Sequence, residues 1–147
     1  MAAFAKAFDI TDAEASTRAI RDCAGEHGRL DILVNNAGIL VKKRIENHEI
    51  DDWNRVISTN LTALYVTARE APGHMAAGGY GRIINVSSVT GLRGSPLMSH
   101  YGAAKAAVIS LPQSLGIELA TQGVRANALA PGWIVTEMTE RSVNNEK

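Results

Sequence analysis

The chain has 147 residues, 46% of them hydrophobic and 20% charged, enough to bury about two thirds of the unfolded surface around one core. Its 15 basic residues balance 15 acidic ones, which argues against a nucleic-acid or membrane-surface partner, and no apolar run is long enough to span a bilayer. A single cysteine, Cys23, excludes an internal disulfide, and no Cys/His cluster has metal-ligand spacing, so a reducing cytoplasmic compartment and no metal site are expected.

Residues 2–10 read as a short strand, and Thr11 with Glu14 three residues later forms a capping-box pattern that starts a helix through Ala19, Ile20 and Cys23, ended by Gly28. The apolar run 30–34, interrupted only by Asp31, suits a buried parallel strand closed by the loop Asn35-Asn36-Ala37-Gly38. From Ile50 onward, Trp53, Val56, Ile57, Leu61, Leu64 and Tyr65 keep helical spacing and predict a long helix with one apolar face, which Pro72-Gly73 should end or kink. Residues 82–86 form the next strand, a Ser/Gly-rich loop covers 87–96, and a second long helix runs over 99–120. Pro112 and Gly116 fall inside that helix, so a kink is expected after Leu111. A last strand covers 124–129 and stops at Pro131-Gly132. Strands alternating with helices predict an α/β fold, a partial Rossmann-like, doubly wound parallel sheet with helices on both faces.

In the second long helix Tyr101 and Lys105 are four residues apart, so one turn puts both side chains on the same face. A tyrosine has an unperturbed pKa of about 10, and lowering it by about three units requires about 4 kcal/mol. An ammonium about 4 Å away at an effective dielectric of about 20 supplies roughly that much. The pair is therefore chemically sufficient for proton transfer, although a surface tyrosine beside a solvated lysine would show the same spacing. Ser88 lies at the end of a predicted strand, where open parallel sheets place ligands, and its hydroxyl could either polarise a substrate oxygen or cap the strand. Asn60 sits on the apolar stripe of the first long helix and needs buried hydrogen-bond partners, a demand that structure alone can also explain.

Taken together and in order, Asn35-Asn36-Ala37-Gly38, Asn60, Ser88, Tyr101-Gly102-Ala103-Ala104-Lys105 and Pro131-Gly132 resemble the short-chain dehydrogenase/reductases, over residues 9–139. Within that family the chain looks most similar to the 3-oxoacyl-acyl-carrier-protein reductase-like branch. The resemblance implies an NAD(P)-dependent oxidoreductase acting on a small carbonyl or alcohol substrate. By resemblance, Tyr101 is the general acid or base, Ser88 positions the substrate oxygen, Lys105 also holds the nicotinamide ribose, and Asn60 anchors a proton-relaying water chain. It further implies NAD or NADP contacts from Asp9 and Ile10 at the adenine, Asn36, Ala37 and Gly38 along the adenosine ribose, Pro131 and Gly132, and Ile134 with Thr136 at the carboxamide.

Such proteins open with a strand and a glycine-rich turn that receives the pyrophosphate at a helix N-terminus. The 13 glycines here include no such turn, and residue 2 resembles the start of the third strand. Residues 1–147 are thus expected to form a single incomplete domain, part of a longer oxidoreductase that forms a homo-oligomer, with the substrate lid and last strand also missing. With strands one and two absent, the segment 2–10 would present an unpaired edge. The choice between NAD and NADP rests on a residue after the second strand and cannot be read. An alternative is a catalytically inactive interaction or oligomerisation module that has lost dinucleotide binding.

Overall fold

The computed structural model describes residues 3–136 and Thr139; most of the expected lid segment lies outside them. The first element is helix α1 (Ala13–His27), capped by Asp12 rather than Thr11. The Asp12 carboxylate accepts from the backbone N–H groups of Glu14 at 2.9 Å and Ala15 at 3.0 Å. A charged acceptor there also meets the positive end of the helix dipole. Thr11 instead donates its N–H and its hydroxyl to Asp9 Oδ1, at 2.8 and 2.7 Å. Gly28 ends the helix at φ 69°, the left-handed conformation that glycine adopts without strain.

The strand expected before α1 is not formed within residues 3–10. A strand persists only with a ladder partner, and the three strands present pair with one another. The segment instead follows the flank of α1 through the Lys6–Asp22 ion pair and the Phe4–His27 ring contact.

The sheet has the order β1 (Ile32–Asn35), β2 (Gly81–Val86), β3 (Val124–Leu129), all parallel, so the Rossmann-like α/β architecture read from the sequence is present. Asn35, expected in the following loop, is the last residue of β1. It is held by a half-buried polar network, donating from Nδ2 to Asn85 Oδ1 at 2.9 Å and accepting from Thr67 Oγ1 at 2.8 Å. The register aligns Leu33, Ile83 and Ala126 on one face. There they pack with Ala24 of α1, with Ala68, Ala71 and Met75 of α3 (Ala63–Ala77), and with Leu119 of α4 (Ser99–Leu119). Among the described residues the core therefore gathers on that face, while Ile32, Val34 and Leu129 on the other are each more than half exposed.

The first long helix is two helices, α2 (Ile50–Ile57) and α3, joined by a π-helical turn at Ser58–Thr62 that residue spacing did not foretell. Its apolar stripe is narrower than expected: Val56 and Leu64 are buried, whereas Trp53 and Tyr65 are exposed. Pro72-Gly73, expected to end or kink the helix, does not end it, and α3 continues to Ala77. Proline costs about 3 kcal/mol inside a helix, but Ala71 and Met75 beside it are fully buried, and packing of that order outweighs the lost hydrogen bond. Helix α4 is likewise unbroken at Pro112, itself buried, and at Gly116. No described helix is long and apolar enough to cross a membrane.

Two glycines between elements are left-handed, but only one of them permits close backbone approach. Gly123 has φ 75°, and a Cβ there would lie 2.2 Å from the Gly79 carbonyl oxygen, whereas Gly79, at φ 66°, has open space. Gly79→Ala is expected to cost about 1 kcal/mol of stability, the left-handed strain alone, and Gly123→Ala more than about 2 kcal/mol. Urea unfolding of both variants measures the difference; equal losses would remove the backbone clash from the account.

Candidate active site

The site forms where parallel strands end and loops begin, the place such sheets reserve for ligands. Strand β2 delivers Val86, Ser87 and Ser88, and α4 crosses above with Tyr101 and Lys105 one turn apart. The loop after β1 brings Asn36, Ala37 and Gly38, and the loop after β3 brings residues 131–136.

Lys105 is the most constrained of these residues. Its side chain is buried, 4% exposed, and Nζ donates to the Val86 carbonyl at 2.7 Å. Its own carbonyl accepts from Ser87 Oγ at 2.6 Å, so α4 and the end of β2 are stitched in both directions. Burial lowers the Lys105 pKa to about 8, because a low-dielectric surround penalises the charged form. Gly91, in the short 3₁₀ turn Val89–Gly91, lets this crossing close, since a Cβ there would lie 2.6 Å from the Lys105 backbone carbon.

Tyr101 departs from the expected electrostatics. Burial pushes its phenol above the ordinary value, with the Ser88 hydroxyl pulling the other way. The Lys105 ammonium lies 5.6 Å from the ring centroid and is directed at Val86, so it does not bring the phenol toward neutrality in this state.

Ser88 is used here as a cap. Its Oγ caps the 3₁₀ turn, accepting from Thr90 N at 3.2 Å and Thr90 Oγ1 at 2.9 Å, and it also meets Tyr101. Asn60 is fully buried on the π-helical turn, where its side chain makes a two-way clasp on Ile39: Oδ1 accepts from N–H at 2.8 Å and Nδ2 donates to the carbonyl at 2.9 Å. One donor and one acceptor position of the amide are thereby engaged, and they secure the loop that follows Gly38. A Cβ on Gly38 would stand 3.3 Å from Asn60 Oδ1 and 3.8 Å from Lys105 Nζ, so the residue sits at the floor of the site.

Two cavities meet at Tyr101. An open cleft of about 530 Å³ is lined by Asn36, Ala37, Gly38, Val86, Ser87, Tyr101, Lys105 and Thr136. On the other side, a small cavity of about 70 Å³ joins Ser88 and Tyr101 to Leu40, Met98, Gly132 and Trp133 among others. Asp9, Ile10, Pro131 and Ile134 line neither. Asp9 is exposed and engaged with Thr11, the Ile10 carbonyl accepts from Ser16 Oγ, and Ile134 is exposed with its carbonyl accepting from Thr139. Pro131 ties the loop down through its carbonyl, which accepts from Val89 N at 2.9 Å. Reading the sequence missed the Val86 carbonyl, for which no side-chain signal exists, and the apolar wall of Leu40, Met98 and Trp133, whose residue types are those of any core. Among the described residues no group of three or more His, Cys, Asp or Glu could hold a metal.

Comparison with known proteins bears on family and fold. The family model described as short chain dehydrogenase matches residues 1–147. Nodulation protein G of Azospirillum brasilense is 43% identical over 130 residues, 88% of this chain and 53% of that protein. The 3-oxoacyl-[acyl-carrier-protein] reductase FabG of Vibrio harveyi is 40% identical over 141 residues, 96% of this chain and 57% of the relative. A gluconate 5-dehydrogenase from Burkholderia cenocepacia J2315, solved in complex with NADP and tartrate, superposes with a TM-score of 0.90 at 35% identity, covering 95% of this chain and 55% of that one. The chain spans about half the length of the curated relatives it matches. With its parallel sheet, the site at the ends of the strands and a family match along all 147 residues, the chain belongs to the short-chain dehydrogenase family.

Proposed function

We propose that this chain carries the proton-transfer part of an NAD(P)-dependent oxidoreductase that interconverts a carbonyl and an alcohol on a small cytoplasmic substrate. The observation that carries this reading is the position of Tyr101 between the two cavities, with Ser88 on the small side and Lys105 on the open side. The open cleft fits the nicotinamide end of a dinucleotide: its walls offer an amide (Asn36), an ammonium (Lys105) and a hydroxyl (Thr136), and Gly38 keeps its floor clear. Bound there, NAD or NADP supplies the hydride. The wider contact set then comprises Asp9 and Ile10 toward the adenine, Asn36, Ala37 and Gly38 along the ribose, and residues 131–136, including Pro131, Gly132 and Ile134, over the carboxamide.

The roles of the chain's own residues follow from geometry. A substrate oxygen in the small cavity accepts from Ser88 and Tyr101 together, and Tyr101 transfers its proton to that oxygen as negative charge develops. With a pKa of about 8, Lys105 is mostly an ammonium at neutral pH, so its charge is available to stabilise the phenolate left behind. Because the phenol starts high, the stabilisation matters at the moment of transfer rather than at rest. Asn60 fixes the loop after Gly38 through Ile39 and anchors a proton-relaying water chain beside it. Assembly as a homo-oligomer is supported by the groove between Leu61, Tyr65 and Leu111, which leaves Tyr65 47% exposed. A second reading, a non-catalytic association module, is favoured by the same groove; saturable micromolar binding of NADH or NADPH, followed by fluorescence, would exclude it, and the isolated chain is expected to show none.

In a protein of the relatives' full length carrying these residues, Tyr101→Phe is expected to lower turnover by about 10²–10⁴-fold while unfolding remains unchanged. Near-native turnover in that variant would overturn the role given to Tyr101. Lys105 yields a stability prediction of known sign. Its folded pKa of about 8 lies below the ordinary 10.5, so the unfolded chain binds more protons between those values and stability rises with pH through that window. Lys105→Met is therefore expected to be more stable than the parent near pH 7, by on the order of 1–3 kcal/mol after the lost Val86 hydrogen bond is offset. The advantage should shrink as pH rises from about 8 to 10.5; urea midpoints across that range test it, and a constant difference would mean the ammonium is not desolvated.

A further inference from the structure

The residue before Tyr101 is buried for no reason that the reaction supplies. His100 is fully buried at the start of α4, and neither ring nitrogen has a hydrogen-bond partner. Its ring stands edge-on to His48, centroids 4.3 Å apart and planes at 70°. His48 belongs to the loop that follows Asn36-Ala37-Gly38 and carries Leu40 of the small cavity. Its Nε2 lies 3.0 Å from the Lys43 carbonyl; a carbonyl only accepts, so Nε2 carries the hydrogen. The same loop is fastened to the residues preceding α4 by Lys43 N–H donating to the Leu97 carbonyl at 3.1 Å. Leu97 is held at φ 65°, a left-handed conformation that leucine rarely adopts, and such strain persists only where the surroundings over-determine it.

We propose that His100 is a positioning residue, whose neutral ring contact with His48 holds the Tyr101 end of α4 against the 39–48 loop and whose protonation releases that contact. It rests on the proposed function only for the consequence to turnover; the contact itself is testable without catalysis. Three titratable groups act on His100. Lys43 and His48 approach from the loop and Asp52 from α2. Asp52 is already committed, to Lys43 Nζ at 2.5 Å and to the Glu49 N–H at 3.3 Å. A proton on His100 therefore enters a dry pocket at a helix N-terminus, where the dipole also opposes positive charge. Burial, then His48, holds the His100 pKa below its ordinary value of 6.5, with Asp52 opposing and Lys43 adding to the effect. The sign follows: the contact is intact above the ordinary histidine value and is progressively lost as pH falls toward the lower folded value. Tyr101 follows His100 in the first turn of α4, so the site loosens on the acidic side for a reason separate from the titration of Tyr101 or Lys105.

The test follows the histidine ring carbons and the Tyr101 Cζ resonance of the 147-residue chain by NMR as pH is lowered, with Tyr101→Phe used only to assign that signal among the three tyrosines. The expected result is that His100 titrates below the ordinary histidine range and that Tyr101 Cζ shifts with the same midpoint. Amides of residues 40–48 and 97–102, corrected for intrinsic exchange, should lose protection roughly tenfold per pH unit over the same interval, the dependence of a one-proton opening. His100→Phe keeps the aromatic packing without the proton and should abolish the shared midpoint; His48→Phe, on the more accessible partner, removes the charge that helps hold the His100 pKa down and should move the shared midpoint upward, a second readout if the first variant does not fold. An ordinary His100 midpoint, a Tyr101 signal unmoved through the His100 titration, or an unchanged Tyr101 transition in either phenylalanine variant would overturn the proposal.

Discussion

The structure depends most on one buried ammonium. Lys105 Nζ holds the Val86 carbonyl while Ser87 holds the Lys105 carbonyl, so the helix bearing Tyr101 and Lys105 cannot slide or rotate over the strand end without exposing both bonds. Burying a charge is unfavourable unless it is satisfied, and a single carbonyl satisfies it only in part. The remaining demand keeps the ammonium responsive to negative charge arising nearby. In the proposed mechanism, the same desolvation that destabilises Lys105 at rest makes it effective when a phenolate forms, a trade between stability and activity that functional sites often show.

Around that bond the chain is assembled by close backbone approach. Gly81 sits where a Cβ would strike Met75, Gly91 where it would strike Lys105, and Gly38 where it would press on Asn60. Each glycine removes a side chain so that two elements can share the volume. The core then fills one face of the parallel sheet with Ala68, Ala71, Met75, Ile83 and Val124. On the opposite face Ile32 and Val34 remain more than half exposed. The side chains proposed for proton transfer sit at the end of β2 and along α4, both packed on the filled face, which is why the site is coherent in a chain spanning about half the length of its relatives.

The family's ordered motif explains the local arrangement without determining its energetics. Spacing put Tyr101 and Lys105 on one helical face, and they are. It also suggested direct electrostatic lowering of the phenol by lysine, and here the three-dimensional arrangement differs: the ammonium turns to a carbonyl 2.7 Å away, and burial raises the tyrosine. Asn60 shows the same division. Its presence on an apolar stripe signalled buried partners, but that those partners are the two backbone groups of Ile39, reached from a π-helical turn, was decided by a chain segment 21 residues away.

What the amino-acid order determined by itself was local and periodic: the alternation of strands and helices, the glycine stop at Gly28, the single-turn spacing of Tyr101 and Lys105, and the family pattern from Asn35 to Gly132. These follow from backbone sterics and from periods of two and 3.6 residues, which neighbouring residues encode. What only the tertiary structure decided was which groups became partners. Residues 3–10 did not form a strand because no neighbour offered a ladder; Pro72 and Pro112 did not break their helices because buried packing outweighed the missing hydrogen bond; Asp12 displaced Thr11 as the cap because its carboxylate reached two free N–H groups. His100, an unremarkable letter in the sequence, became a buried ring against His48 because two segments 52 residues apart met there. Long-range contact and desolvation set those outcomes, and neither is a property of a residue and its near neighbours.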